Sequence, residues 1–218
     1  ISGQGLSVAG AIVAGEQLNK KLVGNKRYDH FNTADESYHG LVYADLAGAF
    51  DIYTLRIRLS LLRDIGATLS AFNAWQLIQG LETLSIRVKE HSKNALKVAE
   101  FLESHPKVKS VNYPGLKSSK LNDYIKANFT DGLASGLLSF EVDDFETAKN
   151  ILDSVKIFSV VVNIGDSKSI ITHPASTTHQ QLPADELAAA GISPGLIRLS
   201  IGLENADDLI NDLKEALK

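Results

Sequence analysis

The chain has 218 residues, of which 44% are hydrophobic and 22% are charged, and its formal net charge at pH 7 is −4. This is the composition of a globular protein with a sizeable core, and the negative charge disfavours nucleic acid and anionic membrane surfaces as partners. The absence of cysteine excludes disulfides, thiolate nucleophiles and cysteine-ligated metals within the chain, and no apolar run approaches the roughly 20 residues that a membrane span needs.

The first 40 residues contain two features with different predictions. A short apolar run at 8–14 follows a glycine-rich start, and this pattern predicts a buried strand. Residues 24–40 are polar and aperiodic, which predicts a long surface loop. Because the chain begins with Ile1 and contains no methionine, we expect it to be the downstream part of a longer polypeptide.

The middle of the chain has a helical pattern. From 72 to 102, apolar residues recur every three or four positions, with lysine and glutamate between them. This spacing predicts one helix of about 30 residues, two to three times the usual length, that bends at Gly80 or Ser85. His91 lies near the apolar stripe, and we interpret it as an ordinary packed histidine.

The pattern after Pro106 predicts a small α+β domain. Apolar and polar residues alternate over 137–142, which predicts a strand with one buried face. Further segments are predicted as a short helix at 144–152, strands at 160–164, 169–172 and 196–203, and a last helix that Asn205 caps. The order of strand, helix, strands and helix is typical of this fold class.

Arg198 is the first candidate binding residue. In a strand over 196–203, its side chain would share the polar face with Ser200 and with Gly202, which would leave open space. A guanidinium in such surroundings suits a planar carboxylate, because two parallel N–H groups can meet two oxygens. The alternative that the pattern leaves open is an ion pair between Arg198 and a structural acid.

The segment NIGDSKSIITHPASTTHQQL, at 163–182, places His173 and His179 six residues apart among hydroxyl side chains. A zinc site needs further protein ligands, and this spacing matches neither a helical nor a strand pair. A serine hydrolase would carry its nucleophile on a Gly-x-Ser-x-Gly turn, which is absent. We therefore predict no metal and no hydrolase site, and we interpret both histidines as residues that stabilise an irregular loop by hydrogen bonds.

Segment 163–182 and the segment GISPGLIRLSIGLENADDLINDL, at 191–213, resemble the C-terminal region of the Cys/Met-metabolism family of pyridoxal-phosphate (PLP) enzymes. Within that family, the asparagine of NIGD, the STTHQQL ending, LRDIGATLSAFNAWQLIQGLETLSIRV and YHGL are most similar to the O-acetylhomoserine sulfhydrylase branch. Cystathionine γ-synthases, cystathionine lyases and methionine γ-lyases usually carry Ser-Leu-Gly where this chain has Asn163-Ile164-Gly165. The resemblance covers essentially the whole chain.

The resemblance implies an α/β fold of the aspartate-aminotransferase type (fold type I). Residues 1–75 would be the end of the large PLP-binding domain, 76–105 a linking helix, and 106–218 the smaller α+β C-terminal domain. The lysine that binds PLP as a Schiff base would lie just upstream of Ile1, so no catalytic residue is expected within this chain. No residue of the chain is assigned to the cofactor itself.

The resemblance also implies an activity, which is PLP-dependent γ-replacement on O-acetylhomoserine with sulfide to give homocysteine and acetate. Arg198 would bind the substrate α-carboxylate, with the Asn163 amide and Thr178 beside it. The N-terminal part of the same enzyme would supply the remaining groups, in a cytoplasmic homotetramer. The alternatives are the reactions of cystathionine γ-synthase, cystathionine γ-lyase or methionine γ-lyase, and a non-catalytic amino-acid-binding or oligomerisation fragment.

Overall fold

The computed structural model describes all 218 residues, which divide into two compact units. One unit comprises Ile1–Ser7 together with Trp75–Lys218, and the other comprises Val8–Ala74. None of the helices combines the length and the apolar character that crossing a membrane requires. The division into a large domain, a linking helix and a C-terminal domain at 75 and 105 stays a prediction.

The unit Val8–Ala74 consists of short helices around a small core. Four buried apolar residues form this core: Leu22, Phe31, Tyr43 and Ile52. The Tyr43 and Ser60 hydroxyls lie 3.0 Å apart, and burial raises the pKa of Tyr43. The helices of this unit are α1 (Leu18–Leu22), α2 (Ile52–Arg56) and α3 (Arg63–Ile65), with 3-10 turns at Lys26–Phe31, Glu36–Tyr38 and Tyr43–Leu46 and a π-helical segment at Ile57–Leu62.

The predicted buried strand at 8–14 is wrong. Val8 and Val13 are almost fully exposed, and the segment has no strand conformation. A strand needs a neighbour that accepts and donates its backbone hydrogen bonds, and the unit offers none to this segment. The predicted surface loop at 24–40 is mostly exposed, as expected, but it contains two 3-10 turns and contributes Phe31 to the core.

Two helices replace the single predicted one: α4 (Ala71–Glu82) and α5 (Leu84–Glu103). They are separated at Thr83, whose φ of −109° and ψ of 3° are not α-helical. The predicted bend at Gly80 or Ser85 is therefore misplaced by a few residues. The reason is a side-chain bond across the break. The Arg87 guanidinium donates to the Gly80 carbonyl at 2.8 Å, one of the carbonyl groups that a helix end leaves without an intrahelical partner.

A five-stranded sheet with the order β1-β2-β5-β4-β3 organises the C-terminal part of the chain. Its strands are β1 (Ser110–Asn112), β2 (Leu137–Glu141), β3 (Ser159–Val160), β4 (Ile170–Thr172) and β5 (Leu196–Ser200). All neighbouring strands are antiparallel except β3 and β4. The remaining helices are α6 (Asn122–Asn128), α7 (Phe145–Ser154), α8 (Ala184–Ala189) and α9 (Ala206–Ala216). Apolar side chains of α5, α7, α9 and the sheet form one core.

Most of the predicted C-terminal elements are present. The predicted cap is present, because Asn205 accepts from an N–H of α9. Asp144, at the start of the predicted helix 144–152, likewise accepts from an N–H of α7. Two strands are shorter than predicted, since 160–164 contributes only Val160 to β3 and 196–203 ends at Ser200. Consequently, Leu203 is not in the core but exposed.

Candidate functional site

Arg198 lies in the middle of the sheet. It is part of β5, where it pairs in register with Ser139 of β2 on one side and with Thr172 of β4 on the other. Its neighbours Ile197 and Leu199 are fully buried, whereas Arg198 is half-buried. The predicted alternation of β5 is therefore correct, and the guanidinium projects from the face opposite the core.

No acid of the chain neutralises Arg198. The ion pairs of the structure involve other cations: Lys89, Lys93, Lys109 and Lys218. The Nη2 atom of Arg198 is buried and has no hydrogen-bond partner. Because a buried, unpaired charged donor is costly, this nitrogen is poised to bind an anionic acceptor. The alternative of a structural ion pair is not observed.

Asn163 lies on the loop that follows β3, and this loop reaches the same sheet face as Arg198. The Gly165 N–H donates to the Ser200 hydroxyl at 3.0 Å, two residues beyond Arg198 on β5. The Asn163 amide nitrogen donates to an Asp166 carboxylate oxygen at 3.0 Å. An amide NH2 group carries two protons, so this bond leaves Asn163 one proton for another acceptor.

Thr178 lies on the loop that begins beside Arg198. This loop follows Thr172, the β4 partner of Arg198. The Thr178 hydroxyl is half-buried and lies 2.8 Å from Nδ1 of His179. Arg198 thus lies on β5, whereas Asn163 and Thr178 lie on the loops that follow β3 and β4. Their joint binding of one ligand stays a prediction.

The histidines stabilise this loop, as their interpretation from the sequence proposed. His173 is buried, and its two ring nitrogens lie 2.8 Å from the Ser176 hydroxyl and 2.8 Å from the Pro194 carbonyl oxygen. Both nitrogens are thus occupied by protein groups. The chain contains no cluster of three or more side chains that could hold a metal ion.

The open space predicted at Gly202 is not present. A Cβ atom on Gly202 would lie 2.5 Å from the Ser167 carbonyl oxygen and 2.5 Å from the Ser169 nitrogen. Ser169 fills this region, because its hydroxyl donates to Glu204 at 2.8 Å and accepts from the Gly202 N–H at 2.8 Å. Gly202 therefore permits a close approach of backbone to backbone and offers no room for a ligand.

Two residues of α5 bind the segment that follows β5. The sequence predicted His91 only as a packed histidine and did not single out Asn94. His91 Nδ1 donates to the Ile201 carbonyl at 2.7 Å, and Asn94 donates to the carbonyl groups of Gly202 and Glu204 at 3.2 and 2.9 Å. A separation of three residues places His91 and Asn94 on one helix face. That spacing is the signal that could have identified them as a pair.

The whole chain, residues 1–218, matches the family model described as Cys/Met metabolism PLP-dependent enzyme. The chain belongs to this family. Among its Cys/Met-metabolism relatives, the O-acetyl-L-homoserine sulfhydrylase of Leptospira meyeri is 46% identical over 226 residues, an alignment that covers 100% of this chain and 50% of the relative. The enzyme of the same name from Corynebacterium glutamicum is 41% identical over 219 residues, covering 98% of this chain and 49% of the relative.

Comparison with a solved structure supports the same family and its fold. The crystal structure of a putative O-acetylhomoserine (thiol)-lyase from Campylobacter jejuni superposes with a TM-score of 0.90 at 53% identity, covering 99% of this chain and 51% of that chain. That protein contains N'-pyridoxyl-lysine-5'-monophosphate. The predicted family and its α/β, aspartate-aminotransferase-like fold are confirmed. The chain spans about half the length of the curated relatives it matches.

Proposed function

We propose that the complete enzyme containing this chain replaces the acetoxy group of O-acetylhomoserine with sulfide, giving homocysteine and acetate, with PLP as cofactor. The contribution of this chain is to bind and orient the amino-acid substrate. The observation that carries the proposal is the half-buried Arg198, which has no ion pair and whose Nη2 atom is buried without a partner. The names of the most similar relatives support O-acetylhomoserine as the substrate.

The residues of this chain fit the substrate of a PLP reaction. The orphaned guanidinium nitrogen of Arg198 matches the α-carboxylate that every amino-acid substrate carries. When bound, PLP supplies the electron sink for bond cleavage at the substrate carbons. We assign that group to the part of the enzyme beyond this chain, and Arg198 to the carboxylate.

Arg198 orients the substrate as well as binding it. A guanidinium that meets both carboxylate oxygens through parallel N–H groups fixes the plane of the carboxylate. Its register partners in the sheet, Ser139 and Thr172, are uncharged. Among these three residues, Arg198 therefore carries the charge that can bind a carboxylate. Holding the amino acid in one orientation lowers the entropic part of the reaction barrier.

Asn163 and Thr178 complete the proposed carboxylate site. The second amide proton of Asn163 adds a neutral hydrogen bond, worth about 0.5–1.5 kcal/mol. The Thr178 hydroxyl, which lies 2.8 Å from His179 Nδ1, flanks the site from the neighbouring loop. Sulfide as the nucleophile, a homotetrameric assembly and a cytoplasmic location belong to the same proposal.

The decisive experiment compares nucleophiles with the full-length enzyme. We expect O-acetylhomoserine and sulfide to give homocysteine, and O-acetylhomoserine and cysteine to give little cystathionine. Preferential formation of cystathionine would instead identify a cystathionine γ-synthase. Borohydride reduction followed by peptide mapping should place the pyridoxyl group on a lysine, and the absence of any such adduct would identify a non-catalytic protein.

A further inference from the structure

The first seven residues pack with the C-terminal part of the chain. Ile1–Ser7 belongs to the same compact unit as Trp75–Lys218, and we refer to residues 1–5 as the N-terminal strap. Arg87 of α5 binds this strap, since its Nη2 donates to the Ile1 carbonyl at 2.6 Å. The Nη1 atom of the same guanidinium donates to the Gly80 carbonyl at 2.8 Å. One side chain thus joins the strap to the end of α4 and the start of α5.

Two glycines make this close packing feasible. A Cβ atom on Gly80 would lie 2.5 Å from the Ile1 carbonyl oxygen, so any larger residue would displace the strap. Gly3 has a φ of +84°, and a Cβ atom there would lie 3.0 Å from Arg87 Nε. That Nε atom is buried and has no partner. The strap therefore covers the Nε side of the guanidinium that binds it.

The strap contacts the Asn163 loop on its other side. The Ser167 N–H donates to the Gly3 carbonyl at 2.7 Å. At Gly5, whose φ is +63°, a Cβ atom would lie 3.1 Å from the Asn163 amide nitrogen. The strap therefore connects Arg87 to the loop that carries Asn163.

We propose that Arg87 is a positioning residue for the carboxylate site, which acts by holding the N-terminal strap against the loop at 163–167. The strap in turn restricts the position of the Asn163 amide. The loop has a second attachment, from the Gly165 N–H to the Ser200 hydroxyl at 3.0 Å, so loss of Arg87 loosens the loop without releasing it. The role of Asn163 in substrate binding rests on the proposed function. The mechanical link, by which Arg87 holds the loop at 163–167 through the strap, does not.

The test measures amide hydrogen exchange in the full-length enzyme. In Arg87→Ala, we expect the peptide containing the Ser167 amide to exchange about tenfold faster, because the local opening that exposes this amide is no longer opposed by the strap. The peptide containing β2 should be unchanged. Gly3→Ala should have the same effect, since its methyl group meets the guanidinium, and Arg87→Lys should not restore protection because one ammonium cannot span the same acceptors. The matched control is Lys93→Ala, an exposed cation on the same helix.

Steady-state kinetics give the second readout. The KM for O-acetylhomoserine should rise about three- to tenfold in Arg87→Ala while kcat changes less than about twofold, as expected for weakened binding of substrate and transition state alike. Unchanged exchange of the Ser167 peptide relative to Lys93→Ala, or faster exchange of both peptides in all variants, would overturn the proposal. If the Ser167 peptide responds but the wild-type enzyme forms no homocysteine, the mechanical link stands and the proposed function fails.

Discussion

Truncation of Arg198 to alanine should separate activity from stability. The guanidinium has no acid partner in the chain, so its removal leaves no buried carboxylate unpaired. It also removes a buried donor without a partner, whose burial costs about 1–3 kcal/mol. This gain offsets the loss of packing by the aliphatic part of the side chain. We therefore expect the free energy of unfolding to change by less than about 1 kcal/mol.

The effect of the same change on activity should be large. Two charge-assisted hydrogen bonds to the carboxylate contribute about 1.5–3 kcal/mol each, or about 3–6 kcal/mol together. Since 1.4 kcal/mol corresponds to a factor of ten, kcat/KM for O-acetylhomoserine should fall roughly 10²- to 10⁴-fold. Arg198→Lys keeps the charge but loses the two parallel N–H groups of the guanidinium. We expect its kcat/KM to lie between those of the wild type and Arg198→Ala.

The assay follows homocysteine formation by the full-length enzyme, with PLP absorbance and thermal unfolding measured on the same samples. The matched control is Lys149→Ala, which removes an exposed cation from α7 and should leave kcat/KM unchanged. A loss below about threefold in Arg198→Ala, with the cofactor bound normally, would refute the carboxylate assignment.

Three further predictions concern stability. Asp212→Ala should lower the free energy of unfolding by about 2–4 kcal/mol in urea titrations with little change in KM, because three backbone N–H groups at 156–158 lose their carboxylate acceptor. The backbone hydrogen bond at the start of α7 lowers the pKa of Asp144. The stabilisation of α7 by the ionised Asp144 carboxylate is therefore present above about pH 4 and lost on acidification. Wild type and Asp144→Ala should accordingly converge in their free energy of unfolding at low pH. Burial raises the pKa of Tyr113 to about 12. The stabilising effect of its neutral hydroxyl is therefore complete below about pH 10 and is lost as the pH rises from there to about 12. Tyr113→Phe should therefore be less stable than wild type by about 1–2 kcal/mol at pH 8 and should approach it in alkaline solution, as measured by urea unfolding.

Local periodicity and capping residues predicted the elements whose partners lie within the C-terminal part of the chain. The helix α9 is an example, because its apolar stripe packs on the core and Asn205 fixes its first turn. The exposed run at 8–14 is the opposite case. Its composition predicts burial, yet Val8–Ala74 provides no strand to pair with it. A pattern can predict that a segment requires a partner, but it cannot supply the partner.

Side-chain bonds and close backbone contacts explain the remaining errors. The break between α4 and α5 falls at Thr83 because the Arg87 side chain, rather than the next helical turn, satisfies the Gly80 carbonyl. The strand β5 ends at Ser200 because the backbone of Ser167 occupies the space beside Gly202. The first contact is made by a side chain and the second joins segments distant in the sequence, so apolar periodicity could place neither.

Strand alternation predicted the sheet face from which the Arg198 side chain projects. It could not predict that this side chain has no ion pair. Three acids lie on the adjoining segments, and each accepts a hydrogen bond from another donor. Glu141, on β2, accepts from the Ser110 hydroxyl at 3.4 Å. Asp166 accepts hydrogen bonds from the Asn163 amide and from a backbone N–H, and Glu204 accepts from the backbone and the hydroxyl of Ser169. Carboxylates that are committed to such bonds have less to gain from a cation. These bonds hold Asp166 within its own loop and Glu204 against Ser169. Arg198 is thus left without an acid partner in the chain, as the proposed carboxylate site requires.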